Sequence, residues 1–219
     1  MNRTRVIAID GFAATGKSTI AKKLARTLDY RYLDTGSMFR TLTHHAMQQG
    51  FLSEEKLDDT AFQVFLENSH FHWLGTALGF NGQALGNEIR SHEVAEKVSH
   101  MAAIPFVRAF TLKNQHELAS GQSIVIDGRD IGTVVFPEAH HKFFLNAAPE
   151  VRAQRRWEEL SEQGQKVDLQ DVLQNVRDRD KKDSDRIVAP LRKADDAVLI
   201  DTSELSIEDV FQTMLSHIQ

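Results

Sequence analysis

The sequence predicts an α/β fold, a doubly wound five-stranded parallel sheet with helices on both faces. Three observations predict it. Five short apolar runs, Arg5–Asp10, Arg31–Asp34, Ser123–Asp127, His141–Asn146 and Ala197–Asp201, have the length and composition of buried parallel strands. Segments of helical period lie between them: Ile20, Leu24 and Leu28 follow the first run, and Ile207, Val210, Phe211, Met214, Leu215 and Ile218 follow the last. Between the first run and the first helical segment stands Gly11-Phe-Ala-Ala-Thr-Gly-Lys-Ser18, the glycine loop that joins strand to helix in phosphate-binding proteins.

Each element has its own reason. Four of the five apolar runs end on Asp and the other on Asn, which gathers polar groups at the carboxyl ends of the strands, where such sheets bind ligands. From Phe71 to Glu88 the rhythm breaks, with short aromatic runs alternating with Gly75, Gly79, Gly82 and Gly86. Asn81-Gly82 is a hairpin signal, so this region reads as a small β insert. Ile104-Pro105 divides the helical region between Ser91 and Leu118, because proline lacks the N–H that would continue the ladder.

Composition narrows the function. With 219 residues, 41% of them hydrophobic, the chain can bury one substantial core with a small insert or lid. A net charge of -5 speaks against a nucleic-acid polymer as partner. The chain has no cysteine, which excludes a disulfide framework and a thiolate metal site. No apolar run reaches the length of a membrane span, and Met1–Arg5 leads into only four apolar residues, so the expected setting is the cytoplasm. The ten histidines form no HExxH pattern, and adjacent pairs such as His44-His45 put their side chains on different faces.

The chemistry begins at the loop. Its backbone N–H groups and the positive end of the following helix dipole face one hollow that suits a polyphosphate. Lys17 would reach the β and γ phosphates and Ser18 would hold Mg²⁺. Asp127 ends a strand where a carboxylate near that ion is expected, although Asp127-Gly128 also makes an ordinary turn. Arg129 and Asp130 follow it. Asp34-Thr-Gly-Ser-Met-Phe-Arg40 could present Arg40 to an anion from the first turn of a helix, or could be a plain βα turn with a surface arginine. Arg152, Arg155 and Arg156 share a helix face, where an anion would relieve their repulsion or Glu158 and Glu159 would serve as counter-charges. Arg179, Asp183 and Arg186 fall at i, i+4 and i+7, a stripe that can read a base edge and a sugar or form a surface salt-bridge ladder.

Taken together, these motifs resemble the bacterial cytidylate kinases, P-loop nucleoside monophosphate kinases that transfer the γ-phosphoryl group of ATP to CMP or dCMP in pyrimidine nucleotide metabolism. The resemblance rests on the phosphate loop, Leu33–Arg40, Asn87–Arg90, Asp127–Pro137 and Arg186–Leu191, and covers nearly the whole chain. It implies one kinase unit, with a core at 1–66 and 91–219, an NMP-binding insert at about 67–90 and a helical lid at about 150–167. Gly11, Phe12, Ala13, Ala14, Thr15, Gly16, Lys17, Ser18 and Thr19 would bind ATP, and Ser18 and Asp127 would hold Mg²⁺. Arg40 and Arg129 would bind the α-phosphate of CMP, with Thr35, Asp130 and Arg179 against its sugar. Ser99, Arg108, Asp183 and Arg186 would surround cytosine, and Phe39 would line the same acceptor. Lys17, Arg129 and the lid arginines 152, 155 and 156 would stabilise the transferring phosphoryl group. The resemblance also implies a monomer.

Three features depart from the family pattern. Phe12 stands where proline is usual, Phe39 where tyrosine is usual, and the insert is shorter. Two rival readings remain at this level. One is a kinase of another small acceptor, such as AMP or a sugar acid. The other is a nucleotide-driven switch or motor, against which stand the absence of an NKxD guanine motif and the Gly that follows Asp127.

Overall fold

A computed structural model describes residues 4–53, 56–162 and 164–218. It divides into two compact units, 1–32 with 122–219, and 33–121. The second is wider than the 67–90 segment named as an insert and contains it.

The first unit carries the sheet. β1 (Val6–Gly11) is followed by α1 (Lys17–Leu28), and β2 (Arg31–Asp34) leads out of the unit after Tyr32. The chain returns with β8 (Ile124–Asp127), a π-helical turn at Ile131–Val135, β9 (His141–Asn146), α6 (Pro149–Glu162), α7 (Leu169–Asp185), β10 (Val198–Asp201) and α8 (Ile207–Ile218). The strands order as β10-β9-β1-β8-β2, with β1 between β8 and β9 in parallel register: Ile9 lies opposite Asp127 on one side and Phe143 on the other. All five expected strands are present, within a residue of their expected ends.

Alternation explains the core on one face. Ile7, Ile9, Val125, Phe143, Leu145 and Ile200 point to the same side of the sheet, where they meet Ile20 and Leu24 of α1 and Val210, Phe211 and Met214 of α8. A smaller cluster joins α6 to α7, with Ala153 packed on Val172 and Val176 beside Trp157 and Leu173. The Trp157 indole closes it by donating to the Val167 carbonyl at 3.0 Å.

The second unit is built on helices. It comprises α2 (Thr35–Gln48), the two-residue strands β3 (Leu52–Ser53) and β4 (Lys56–Leu57), α3 (Asp59–Glu67), the antiparallel sheet β5 (Phe71–Leu74), β6 (Ala77–Phe80) and β7 (Gln83–Ala84), a 3-10 turn at Asn87–Arg90, α4 (His92–Met101) and α5 (Pro105–Ala119). The Asn81-Gly82 turn forms as expected, both residues at positive φ. Phe71 packs on Phe80 at 4.7 Å between ring centres, and the Phe71 N–H and Trp73 indole tie the sheet to α5 through Asn114 and the Leu118 carbonyl. Helix α4 stops at Met101, and Ile104 is extended ahead of Pro105, which opens α5.

Candidate active site

The phosphate loop is built by two glycines. Gly11, at φ +141°, ends β1 so close to β9 that a Cβ would lie 2.0 Å from the Leu145 carbonyl oxygen. Gly16 takes the left-handed conformation at φ +85° and caps α1 without any side-chain bond, and no acidic residue occupies the first turn. The opening N–H groups of α1 and the positive end of its dipole therefore remain available to an anion. Thr15 donates to the Phe12 carbonyl at 3.0 Å, and the Thr202 hydroxyl donates to the Thr15 carbonyl at 3.3 Å. Thr19, the residue after Ser18, is exposed.

Lys17 is folded back over this loop. Its ammonium group donates to the Phe12 carbonyl and, at 3.3 Å, to the Thr15 hydroxyl. Only 6% of the residue is exposed. Burial first, then the nearby Arg129 charge, holds its pKa well below the ordinary lysine value, against the pull of Asp127 and Asp10. A triphosphate brought to the loop supplies the negative charge that would favour the ammonium form.

Ser18 and Asp127 meet directly. The Ser18 hydroxyl donates to Asp127 Oδ2 at 2.9 Å, and Asp127 Oδ1 accepts the Tyr32 hydroxyl hydrogen bond at 2.7 Å. A hydroxyl beside a buried carboxylate is a hard oxygen pair of the kind Mg²⁺ takes alongside phosphate oxygens. Tyr32 was missed by sequence reasoning, because its role depends on β2 and β8 being neighbours.

A second cluster of the same unit gathers the charged residues beyond β8. Arg129 Nε donates to Asp183 Oδ2 at 2.9 Å, and the Arg186 guanidinium lies 3.6 Å from Asp130. Burial tends to raise the Asp183 pKa, but Arg129, Arg179 and Arg186 outweigh it and hold the carboxyl below its ordinary value. The expected stripe changes in one respect. α7 ends at Asp185, and Arg186 turns out of the helix with extended backbone rather than continuing its face. The reason lies just downstream: Pro190 disfavours helix at Ala189, which sits at φ 51°, and Leu191 folds back to donate to the Asp183 carbonyl at 2.8 Å.

The three arginines of α6 take three separate partners. Arg152 is 2% exposed and forks onto Asp180 of α7 at 2.9 and 2.6 Å, with its Nε on the Ala147 carbonyl. Its guanidinium lies 5.0 Å from the centre of the Phe12 ring, which meets Phe144 edge-on. Arg155 donates to the Thr202 carbonyl at 2.6 Å, and Arg156 pairs with Glu159 on the surface.

In the second unit, Asp34 caps α2 by accepting from the Ser37 N–H at 2.9 Å, and its other oxygen pairs with Arg40 at 2.7 Å. Arg90 approaches the same oxygen at 3.8 Å. The buried Arg40 Nε has no hydrogen-bond partner among the described residues. Thr35 is buried at the start of α2, Phe39 lies under the Arg108 guanidinium at 5.6 Å, and Arg108 also donates to the Ala102 carbonyl. Ser99 is half-buried on α4.

The sequence profile of the family described as cytidylate kinase matches residues 7–219. The chain belongs to the cytidylate kinase family. Proteins named cytidylate kinase from Phocaeicola vulgatus and Nitratidesulfovibrio vulgaris are 44% and 42% identical to it. The first alignment covers 93% of this chain and 91% of the relative, the second 98% and 93%. The cytidylate kinase of Fervidobacterium nodosum is 46% identical, over 95% of this chain and 94% of that one. Among solved structures, an uncharacterized protein from Eubacterium ventriosum superposes with a TM-score of 0.54 at 13% identity, covering 98% of each chain, which is a likeness of fold. Membership makes the chain a phosphotransferase of the nucleoside monophosphate kinase type. Among the described residues, no helix is long and apolar enough to cross a membrane.

Proposed function

We propose that this cytidylate kinase family member transfers the γ-phosphoryl group of ATP to CMP or dCMP, with Mg²⁺ as the metal. The observation that carries the acceptor assignment is the Arg129–Asp183 pair with Asp130 and Arg186 beside it. It offers two guanidinium groups and two carboxylates, which suit a phosphate, a sugar hydroxyl and the amino and carbonyl edge of cytosine.

Phosphoryl transfer spreads charge over oxygens in an in-line transition state, so the protein's task is positioning and electrostatic stabilisation. The loop N–H groups and Lys17 receive the β and γ phosphates. Mg²⁺ held by Ser18 and Asp127 would neutralise charge on the same phosphates. Arg129 swings from its bond to Asp183 to orient the attacking phosphate oxygen of CMP, with Arg40 as a second ligand of that phosphate. Thr35, Asp130 and Arg179 take the sugar, and Phe39, Ser99, Arg108, Asp183 and Arg186 take the base. Arg152, Arg155 and Arg156 exchange their present partners for the transferring group when ATP binds. The chain acts as a lid-bearing kinase, with the segment at about 150–167 as the lid.

A coupled assay of ADP release with CMP, dCMP, UMP and AMP tests the reading. The expected result is a kcat/KM for CMP and dCMP well above that for UMP and AMP, with little ATP turnover in the absence of an acceptor. Equal use of all four, or hydrolysis without an acceptor, overturns it.

A further inference from the structure

Asp10, the residue before the phosphate loop, is a buried carboxylate to which the reaction as described gives no task. It is 4% exposed, and both of its oxygens are used. Oδ1 accepts the Ile131 N–H at 2.8 Å and Oδ2 accepts the Gly132 N–H at 2.7 Å. These two N–H groups open the π-helical turn 131–135, where a helical start has no acceptor of its own. Asp130 stands at the position from which a side chain would ordinarily supply that acceptor, and it makes no such bond. Its carbonyl instead receives Val134 and Val135, and its carboxylate faces Arg186 at 3.6 Å.

The cap of this turn is therefore supplied from the neighbouring strand. The Gly128 N–H, on the Ile9 carbonyl at 3.0 Å, extends the β1–β8 pairing past Asp127 and brings the turn to Asp10. Gly132 lies against the Lys142 side chain, where a Cβ would stand 3.1 Å from Lys142 Cδ.

We propose that Asp10 is a positioning residue for the acceptor: by capping the 131–135 turn from β1, it leaves the Asp130 carboxylate for the sugar of the bound monophosphate and fixes its place. The inference rests on the CMP kinase reading. Asp10 acts through Asp130 and touches no reacting atom.

Steady-state kinetics of Asp10→Asn, Asp130→Asn and the double variant test it. Asn keeps the volume of Asp10 but turns an amide donor toward one of the two N–H groups. The expected result for Asp10→Asn, assayed at pH 8, is a KM for CMP raised about tenfold, the size of one lost hydrogen bond, with the KM for ATP within about twofold of wild type. The double variant should be no worse than Asp130→Asn within about twofold, since the two act as one unit. Asp10→Ser, which is shorter and uncharged and so withdraws the acceptors from the Ile131 and Gly132 N–H groups, should show the same selective rise and serves if Asp10→Asn does not fold. An unchanged KM for CMP, an equal rise for ATP, or losses that multiply in the double variant overturn the inference. If the wild type shows no preference for CMP, the proposed function falls and takes this inference with it. Wild-type preference with unaltered variants removes the inference alone.

Discussion

Arg129 and Asp183 are joined by a 2.9 Å hydrogen bond between β8's following loop and α7, and the pair is mostly shielded from water. The residue proposed for the acceptor phosphate and the residue proposed for its base thus hold each other before any substrate arrives. Removing Asp183 leaves Arg129, Arg179 and Arg186 as half-buried cations with less compensation. Asp183→Ala should therefore lower stability by roughly 3 kcal/mol, as loss of one partner from a buried ion pair does, and should reduce discrimination between CMP and UMP. Urea unfolding and kcat/KM for the two acceptors check it. A variant of wild-type stability that keeps its selectivity contradicts the assignment.

Lys17 pulls in opposite directions on folding and function. Its ammonium is buried between the Arg129 and Arg179 cations and the Asp127 and Asp10 carboxyls, and among the described residues it donates to a carbonyl and a hydroxyl. Lys17→Met should lower kcat by about 10² to 10³-fold, the cost of one lost electrostatic donor at a transferring group. It should nevertheless melt at or above the wild-type temperature, because it removes a buried charge. Calorimetry beside the kinase assay separates the two effects.

Tyr32→Phe removes the 2.7 Å hydrogen bond that the Tyr32 hydroxyl donates to the Asp127 carboxylate while leaving the ring in place. The magnesium concentration giving half-maximal activity should rise by about tenfold, as it does when an outer partner of a metal ligand is lost. Direct titration of metal into the protein with an ATP analogue gives a second readout. Unchanged metal dependence would remove Tyr32 from the positioning of Asp127.

Asp10 should mark the pH dependence of stability. Burial, moderated by the Gly132 and Ile131 bonds, raises its pKa from 3.8 to about 7, with Asp130 adding to the rise and Lys17 opposing it. A raised carboxyl binds its proton more tightly in the folded state, so its contribution is fully present below about pH 4 and is lost as pH rises through about 7. Wild type should therefore lose stability relative to Asp10→Asn by up to a few kcal/mol between pH 5 and pH 8, and the difference should level off above that. Parallel denaturant titrations of the two proteins would show a pH-independent difference if Asp10 does not titrate there.

Much of the fold was legible because its signals are local. Apolar runs ending in Asp, the Asn81-Gly82 turn and Ile104-Pro105 depend on neighbours a few residues away, and each produced the element expected of it. Arg186 was placed on the wrong side of a helix end because its departure needs Pro190 and the Leu191 bond back to Asp183 together. Arg156 pairs with Glu159 three residues on, a counter-charge its spacing offers, whereas the partners of Arg152 and Arg155, Asp180 and Thr202, lie 28 and 47 residues away.

The sequence by itself determined the sheet, the phosphate loop and the family, since strand and helix periods, glycine conformations and motif spacings are properties of contiguous chain. Only the tertiary structure decided which charges meet. Tyr32 on Asp127, Arg129 on Asp183 and Asp10 beneath the 131–135 turn join residues 95, 54 and about 121 positions apart. Such partnerships follow from strand order and register in the packed sheet, and a side chain's place there is set by neighbours that no local pattern names.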